Sequence, residues 1–324
     1  MINFNNFNNV IDLTLYFNTE EKCRQAIIEH RWPDGDIVCP YCGRHHCYTR
    51  SDGKYRCPHC LNNFTCLTGT VFQDTKLSLL HWFVAMYLIS SHKKGVSSHQ
   101  LARDLNVSQT TAWNMLQKIR RLYEQCDTPQ YRGVVECDEV YIGGKERWRH
   151  KSMRTPHTQG RSTKTKTPIF GMMEHTFIKN AKGIEEPITY VHALMTENTN
   201  RDTLVPIIEQ FIATGSTVVT DELSAYAVLP KIGYKHAVVR HNAEEYADGD
   251  ITTNSVECFW SHFRRMITGC YHNVSYRHLQ RYIDEACFRW NTRKMSESER
   301  FTHMFAMSIG LVVTWEQIKV HKVA

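Results

Sequence analysis

Apolar residues recur along this chain with two different periods, and the change between them divides it. From Lys76 to Cys126 the period is helical: Leu77, Leu80, Phe83, Val84 and Tyr87 share one face at three- and four-residue spacings, which predicts an amphipathic helix. Thr128-Pro129 breaks that pattern and reads as a linker. Beyond it, short strand-like and longer helical runs alternate. Residues 133–142, 168–174, 188–194, 218–220 and 235–240 read as strands, and 203–212, 255–267 and 278–290 as helices. In the last helix Leu279, Tyr282, Ile283, Ala286 and Trp290 face inward. Such a series packs as a mixed sheet with flanking helices, an α/β domain. Upstream of the helical region neither period holds. Residues 31–75 are rich in Cys, Gly and Pro, which suits a small metal-stapled module, and a polar lead-in with a short helix fills 1–30. The expected plan is therefore 1–30, 31–75, a helical region 76–127, a catalytic-sized domain 130–295 and a partly amphipathic tail 296–324.

Composition narrows the class. Of 324 residues 42% are hydrophobic and 11% aromatic, enough to build packed cores. The formal charge of +6 fits a nucleic-acid partner without demanding one. The N-terminus lacks the basic start and apolar core of a signal peptide. The longest apolar run, Leu77 to Ile89, contains His81 and is too short to span a bilayer, so no membrane association is expected.

Twelve cysteines in that context point to a reducing compartment and a metal rather than to disulfides. Cys39-Pro40-Tyr41-Cys42 and Cys57-Pro58-His59-Cys60 are two matching pairs separated by fourteen residues. Each pair places two thiolates on a knuckle turn, and Cys39, Cys42, Cys57 and Cys60 complete a tetrahedral site for one structural Zn2+. Asn63-Phe64-Thr65 would continue a hairpin, as in zinc ribbons. A redox dithiol is the competing reading, and His45, His46 and Cys47 between the pairs read as bystanders.

Within the helical region, Ser97-Ser98 precedes a short helix through Leu101, Ala102 and Leu105. Asn106-Val107 makes a turn, and Ser108 is an N-cap for a helix from Gln109 to Arg121. That is the pattern of a helix-turn-helix, whose second helix can enter the major groove. Gln109, Thr110, Asn114 and Gln117 would then face base edges and Lys118 a phosphate, with Ala112, Trp113, Leu116 and Ile119 turned inward. An ordinary helical hairpin shares the pattern.

Three acids in the α/β region sit where a chain would place metal ligands. Asp138 lies in the strand-like run Gly133 to Gly144, Asp221 ends the strand at 216–220, and Glu257 opens an amphipathic helix. Carboxylates at two strands and a helix start can converge on divalent cations. Each has a plainer alternative. Glu136 and Glu139 compete with Asp138, Asp221 can cap the turn after it, and Asn254-x-x-Glu257 matches a capping box. Glu257, Ser261 and Arg264 nevertheless share a polar stripe beside the apolar one, so a carboxylate and a guanidinium lie two turns apart on one face.

These motifs together resemble those of insertion-sequence DDE transposases of the zinc-ribbon group related to Merlin elements. Asp138-Glu139-Val140-Tyr141-Ile142-Gly143-Gly144-Lys145 resembles the first catalytic motif of that family. Thr220-Asp221-Glu222 with Ala225-Tyr226 resembles the second. Asn254-Ser255-Val256-Glu257 with Phe259-Trp260, then Gly269-x-Tyr271-His272-x-Val274-Ser275, resembles the third. The resemblance implies a ribonuclease H-like catalytic domain preceded by a zinc ribbon and a helix-turn-helix. It implies that Asp138, Asp221 and Glu257 hold two Mg2+ or Mn2+ ions. Arg264 stands where relatives usually have Lys, and the two are not equivalent at a phosphate.

Between the first two motifs, residues 145–166 hold eight Lys or Arg and one acid. Lys145, Arg147, Arg149, Lys151, Arg154, Arg161, Lys164 and Lys166 make either a solvated loop or a phosphate-tracking arm. The resulting expectation is a transposase that binds double-stranded DNA at terminal inverted repeats, cuts it, and joins 3′-hydroxyl ends to target DNA. It would work as a homodimer or higher oligomer on DNA, in a prokaryotic cytoplasm near the nucleoid. A non-enzymatic DNA-binding regulator with the same N-terminal modules is the alternative.

Overall fold

The computed structural model describes residues 7–124, 130–143, 150–157, 162–179, 182–239 and 253–319. The chain divides into two compact units. One is drawn from Met1–Cys126 and Lys294–Lys322, the other from Asp127–Arg293 and the last two residues.

The first unit begins with helices α1 (Val10–Tyr16) and α2 (Glu20–Arg31), capped by Asn9 and Thr19. A small antiparallel sheet follows, of β1 (Tyr48–Thr49), β2 (Tyr55–Arg56) and β3 (Asn63–Phe64), in that order. Trp32 fastens it to α2: its ring meets Tyr55 edge-on at 5.2 Å, with the Arg31 guanidinium 4.8 Å from the indole. Arg31 Nη1 also donates to the carbonyls of Cys66 and Thr68, at 2.9 and 2.6 Å.

Helices α3 (Leu79–Ser91), α4 (Ser98–Leu105) and α5 (Gln109–Tyr123) come next. The predicted one-sided stripe on α3 is not what forms. Leu79, Trp82, Phe83, Ala85, Met86, Tyr87 and Ile89 are all buried, so this helix is enclosed nearly all round. Much of the enclosure comes from the far end of the chain. Residues 296–324, expected as a tail, include α9 (Glu297–Met307) and α10 (Trp315–Lys319). Helix α9 opens with a capping box between Ser296 and Glu299. Phe301 meets Phe7 at 5.3 Å, Phe305 meets Phe83 at 5.3 Å, and Phe17 meets Phe83 at 4.9 Å. Tyr87 donates to Glu297 at 2.5 Å, and Val71 N–H to the Ser308 carbonyl at 3.1 Å.

The second unit is built on a five-stranded sheet. Its strands are β4 (Val134–Gly143), β5 (Lys166–Lys179), β6 (Glu185–Met195), β7 (Thr217–Thr220) and β8 (Lys235–Val238). Their spatial order is β6-β5-β4-β7-β8. Strand β5 runs antiparallel to β4 and β6, whereas β7 and β8 run parallel to β4. Three meandering strands followed by two parallel ones, with the first strand at the centre, is the ribonuclease H-like arrangement. Helix α6 (Arg201–Phe211) and a 3-10 segment (Ser224–Ile232) cover one face, around Val135, Cys137, Phe170 and Met172. Helices α7 (Asn254–Met266) and α8 (Leu279–Asn291) cover the other, around Val140, Ile169, Met173 and Val191. The α/β pattern expected from the sequence is the one observed, although β5 runs to Lys179, five residues past its expected end. Among the described residues no helix is long and apolar enough to cross a membrane.

Candidate functional site

Strand β4 alternates, as any strand must. Its Val140 and Ile142 join the core under α7 and α8, and Val135 and Cys137 the core under α6. Asp138 therefore shares the α7 side with Glu136, and Glu139 faces the other way. The parallel ladder between β4 and β7 runs from Val134↔Thr217 to Glu136↔Val219. Two residues further on stand Asp138, within β4, and Asp221, just past the end of β7, so the register carries both acids toward one level.

Glu257 is carried on α7, which packs on the same face of the sheet. Gly171 of β5 pairs directly with Asp138. A Cβ at Gly171 would lie 2.4 Å from Cζ2 of Trp260, so the indole rests on bare backbone beside Asp138. Trp260 is one turn past Glu257 and seats the helix that bears it.

Local hydrogen bonds bear on each alternative raised by the sequence. Helix α7 starts at Asn254 with Thr253 as its N-cap, so the Asn254 capping box does not form. The Val256 N–H is met instead by Oε2 of Glu136, at 2.8 Å. Glu136 is 2% exposed, and its Oε1 lies 2.7 Å from His175 Nε2 on β5. Both of its oxygens are engaged, as buried polar atoms require. Glu139 accepts a hydrogen bond from the hydroxyl of buried Tyr226. Asp221 does support its turn, Oδ1 accepting from Leu223 N–H at 3.0 Å. Glu257 Oε1 accepts from the Thr253 hydroxyl at 3.1 Å. Asp138 and Asp221 are half-buried and Glu257 is exposed.

Arg264 is exposed two turns further along α7. After Met266 the helix widens into a π-helical turn, Ile267–Tyr271, and His272 follows with φ +59°. π-turns and positive φ at a non-glycine residue gather at functional sites. Arg264, Thr268 and His272 face Tyr141, Gly143 and Thr167 across an open cleft of about 650 Å³. Tyr271 holds the turn to α8 by donating to Glu285 Oε1 at 2.7 Å, an oxygen that Arg289 also approaches at 2.6 Å. Of the Gly269-x-Tyr271-His272-x-Val274 motif, His272 and Val274 thus line this cleft.

The cysteines form a closed cluster. The ligand atoms of Cys39, Cys42, Cys57 and Cys60 all lie within 4.8 Å of one another. Sγ of Cys39 and Cys60 are 3.6 Å apart, as are those of Cys42 and Cys57. Zinc–sulfur bonds of about 2.3 Å in a tetrahedron require sulfurs about 3.8 Å apart, so the donor set fits zinc. The two knuckles are one turn used twice. Gly43 N–H bonds to the Cys39 carbonyl and Leu61 N–H to that of Cys57, at 3.0 and 3.1 Å. Gly43 and Leu61 have φ of +69° and +60°. His45 and the His46 backbone bond to Asp36, so neither histidine enters the cluster.

Asp138, Asp221 and Glu257 do not crowd together in this way. Among the described residues the four cysteines are the one group of three or more His, Cys, Asp or Glu gathered closely enough to hold a single ion. Two ions ~4 Å apart would spread their outer ligands beyond the reach of one ion, and the donors are the oxygens that Mg2+ and Mn2+ prefer.

The expected DNA-facing side chains divide. Helices α4 and α5 are joined at Asn106, which has φ +52°. Gln109 and Thr110 are exposed, Gln109 Nε2 bonding to Ser98 at 2.8 Å, and Asn114 is half-buried. Gln117 does not face outward as expected, because it is fully buried among Leu116, Ile119 and their neighbours on α5. Lys118 is half-buried with Nζ 5.9 Å from the Trp82 ring centre, and burial lowers its pKa against a smaller opposing effect of Asp74. Trp113, expected inward, is only partly covered and meets Trp315 at 6.4 Å. In the basic stretch Lys151, Arg154 and Lys164 are exposed, and Lys166 starts β5 opposite Gly143. Lys145, Arg147, Arg149 and Arg161 lie outside the described residues.

Comparison with known proteins gives the class. Residues 130–291 match the ISXO2-like transposase domain, and residues 18–63 match the transposase zinc-ribbon domain. The chain belongs to the ISXO2-like transposase family. An uncharacterized protein in transposable element ISH50 of Halobacterium salinarum is 28% identical over 264 residues, covering 78% of this chain and 84% of that one. An uncharacterized transposase-like protein of Haemophilus influenzae is 26% identical over 105 residues, 32% of this chain and 84% of its own length. The Mos1 strand transfer complex is similar over 72% of this chain and 79% of that one, at 15% identity. Its TM-score of 0.28 is too low to inform the fold.

Proposed function

We propose that this transposase binds the terminal inverted repeats of its element, cleaves strands there, and joins the exposed 3′-hydroxyl ends to target DNA. The observation that carries this reading is the arrangement around the central strand. Asp138 sits on β4, the β4–β7 register carries Asp221 toward its level, and the Trp260–Gly171 contact seats the helix of Glu257 on the same face. These three carboxylates are the proposed ligands of two divalent cations. When bound, such ions activate the attacking oxygen and stabilise the leaving one in an in-line displacement. The protein's own part is to hold its acids apart at fixed positions and to grip the strand. Arg264 stands about 10 Å along α7 from Glu257, by helical rise, and reaches a phosphate beyond the cut site through the cleft.

The remaining elements serve recognition. Helix α5, with Gln109, Thr110 and Asn114 at its exposed end, is the proposed groove-reading helix of a helix-turn-helix. The zinc ribbon is a rigid partner to it, and the basic stretch 145–166 tracks phosphates. Bringing two element ends together requires at least a dimer on DNA.

The direct test uses radiolabelled inverted-repeat DNA with Mg2+. Asp138→Asn, Asp221→Asn and Glu257→Gln should each lower strand cleavage by at least ~1,000-fold while end binding in a gel-shift assay stays within about threefold. Cleavage at the wild-type rate in any one of them would remove that residue from the ligand set.

A further inference from the structure

We infer that Glu136 and Glu139, the two acids flanking Asp138, are positioning residues, each tethering the element of one other proposed metal ligand to the Asp138 strand. The inference rests on the assignment of Asp138, Asp221 and Glu257 as ligands. Glu136 lies on the α7 face, 2% exposed, with Oε2 2.8 Å from the N–H of Val256, the residue immediately before Glu257. Its Oε1 is fixed by His175 at 2.7 Å. Glu136 thus meets a first-turn N–H of α7, a helix whose N-cap Thr253 makes no side-chain capping bond. A carboxylate at a helix N-terminus also meets the positive end of the helix dipole.

Glu139 does the corresponding work on the opposite face. It accepts from Tyr226, which is fully buried in the 3-10 segment that begins three residues after Asp221. The four-residue run Glu136-Cys137-Asp138-Glu139 therefore contains one ligand and two tethers. One tether reaches the helix of Glu257 and the other the turn of Asp221. Strand alternation supplies the division: residues two apart share a face, and Glu139 takes the other.

Partners that orient metal ligands typically change metal affinity 10–100-fold when removed. The test is Mn2+ binding to the zinc-loaded full chain without DNA, read from the EPR signal of free Mn2+, with the Mg2+ dependence of cleavage in parallel. Glu136→Ala should weaken Mn2+ binding at least ~10-fold and raise the Mg2+ needed for half-maximal cleavage similarly. Glu136→Gln retains an acceptor for the Val256 N–H and should recover to within about threefold of wild type. Tyr226→Phe keeps the packing, loses the bond to Glu139, and should weaken Mn2+ binding ~3–10-fold with an unchanged circular-dichroism melt. If Glu136→Ala fails to fold, Tyr226→Phe and Glu139→Gln decide the matter. Unchanged Mn2+ affinity in folded Glu136→Ala and Tyr226→Phe overturns the inference. So does a Glu136→Gln protein that stays inactive at saturating metal, since that behaviour marks a ligand. Should Asp138→Asn leave Mn2+ binding intact, the ligand assignment fails, and the tethers with it. Loss in Asp138→Asn beside full binding in the tether variants rejects the tethers alone.

Discussion

The cysteine cluster and the proposed carboxylate site of this chain are assembled in opposite ways. The cysteine cluster is local: all four ligands fall between residues 39 and 60, each pair on its own turn, and their sulfurs lie within 4.8 Å of one another. The carboxylates come from a strand, a turn and a helix spread between residues 138 and 257. Short turns suffice to converge the first set. The second depends on a strand register, a glycine that admits an indole, and a buried glutamate at a helix start. A local site stands or falls with its metal, and a distributed one with the packing that aims it.

The comparison is broken most sharply at the zinc. Cys57→Ser, or chelation, should unfold the ribbon, since structural zinc supplies ~10 kcal/mol or more of folding free energy in small modules. End binding should fall by more than ~100-fold in a gel shift. Mn2+ affinity at the carboxylates should hold if the two sites are independent. On the other side, Gly171→Ala forces a Cβ against Trp260. Overpacking of this kind costs ~1–3 kcal/mol, seen as a lower midpoint in urea unfolding, and Mn2+ affinity should drop with it. Pairing Gly171→Ala with Trp260→Phe should return part of both losses, a coupling that independent sites would not show. Arg264→Ala tests the cleft with a smaller change. Cleavage should fall ~10-fold and end binding become less salt-sensitive, with Arg264→Lys intermediate. An Arg264→Ala protein with wild-type salt dependence would take Arg264 off the DNA path.

Much of this was legible in the chain because it is written in short-range signals. The Cys-Pro-x-Cys pairs, the strand–helix alternation after Pro129, and acids next to strand ends need only a few neighbouring residues to be read. What escaped depends on distant partners. The polar character of Gln117 suggested an outward face, but its place on α5 is between buried Leu116 and Ile119. Leu77 to Tyr87 carried a one-sided stripe, yet α3 is enclosed partly by Phe301 and Phe305, more than two hundred residues later. Glu136 and Glu139 look like Asp138 in the sequence: strand alternation turns Glu139 to the other face, and the bond from Val256 N–H sets Glu136 apart on the shared one. The one signal that pointed to their partners was Tyr226, quoted as part of a motif and now seen bonded to Glu139.

The return of α9 to the first unit has a consequence for synthesis. Phe301 and Phe305 complete an aromatic core begun by Phe7, Phe17 and Phe83. A ribosome delivers them only after the whole sheet of the second unit has been made. The module expected to find DNA is thus finished last, and a nascent chain halted anywhere before α9 carries the proposed cutting residues without a completed means of choosing where to cut.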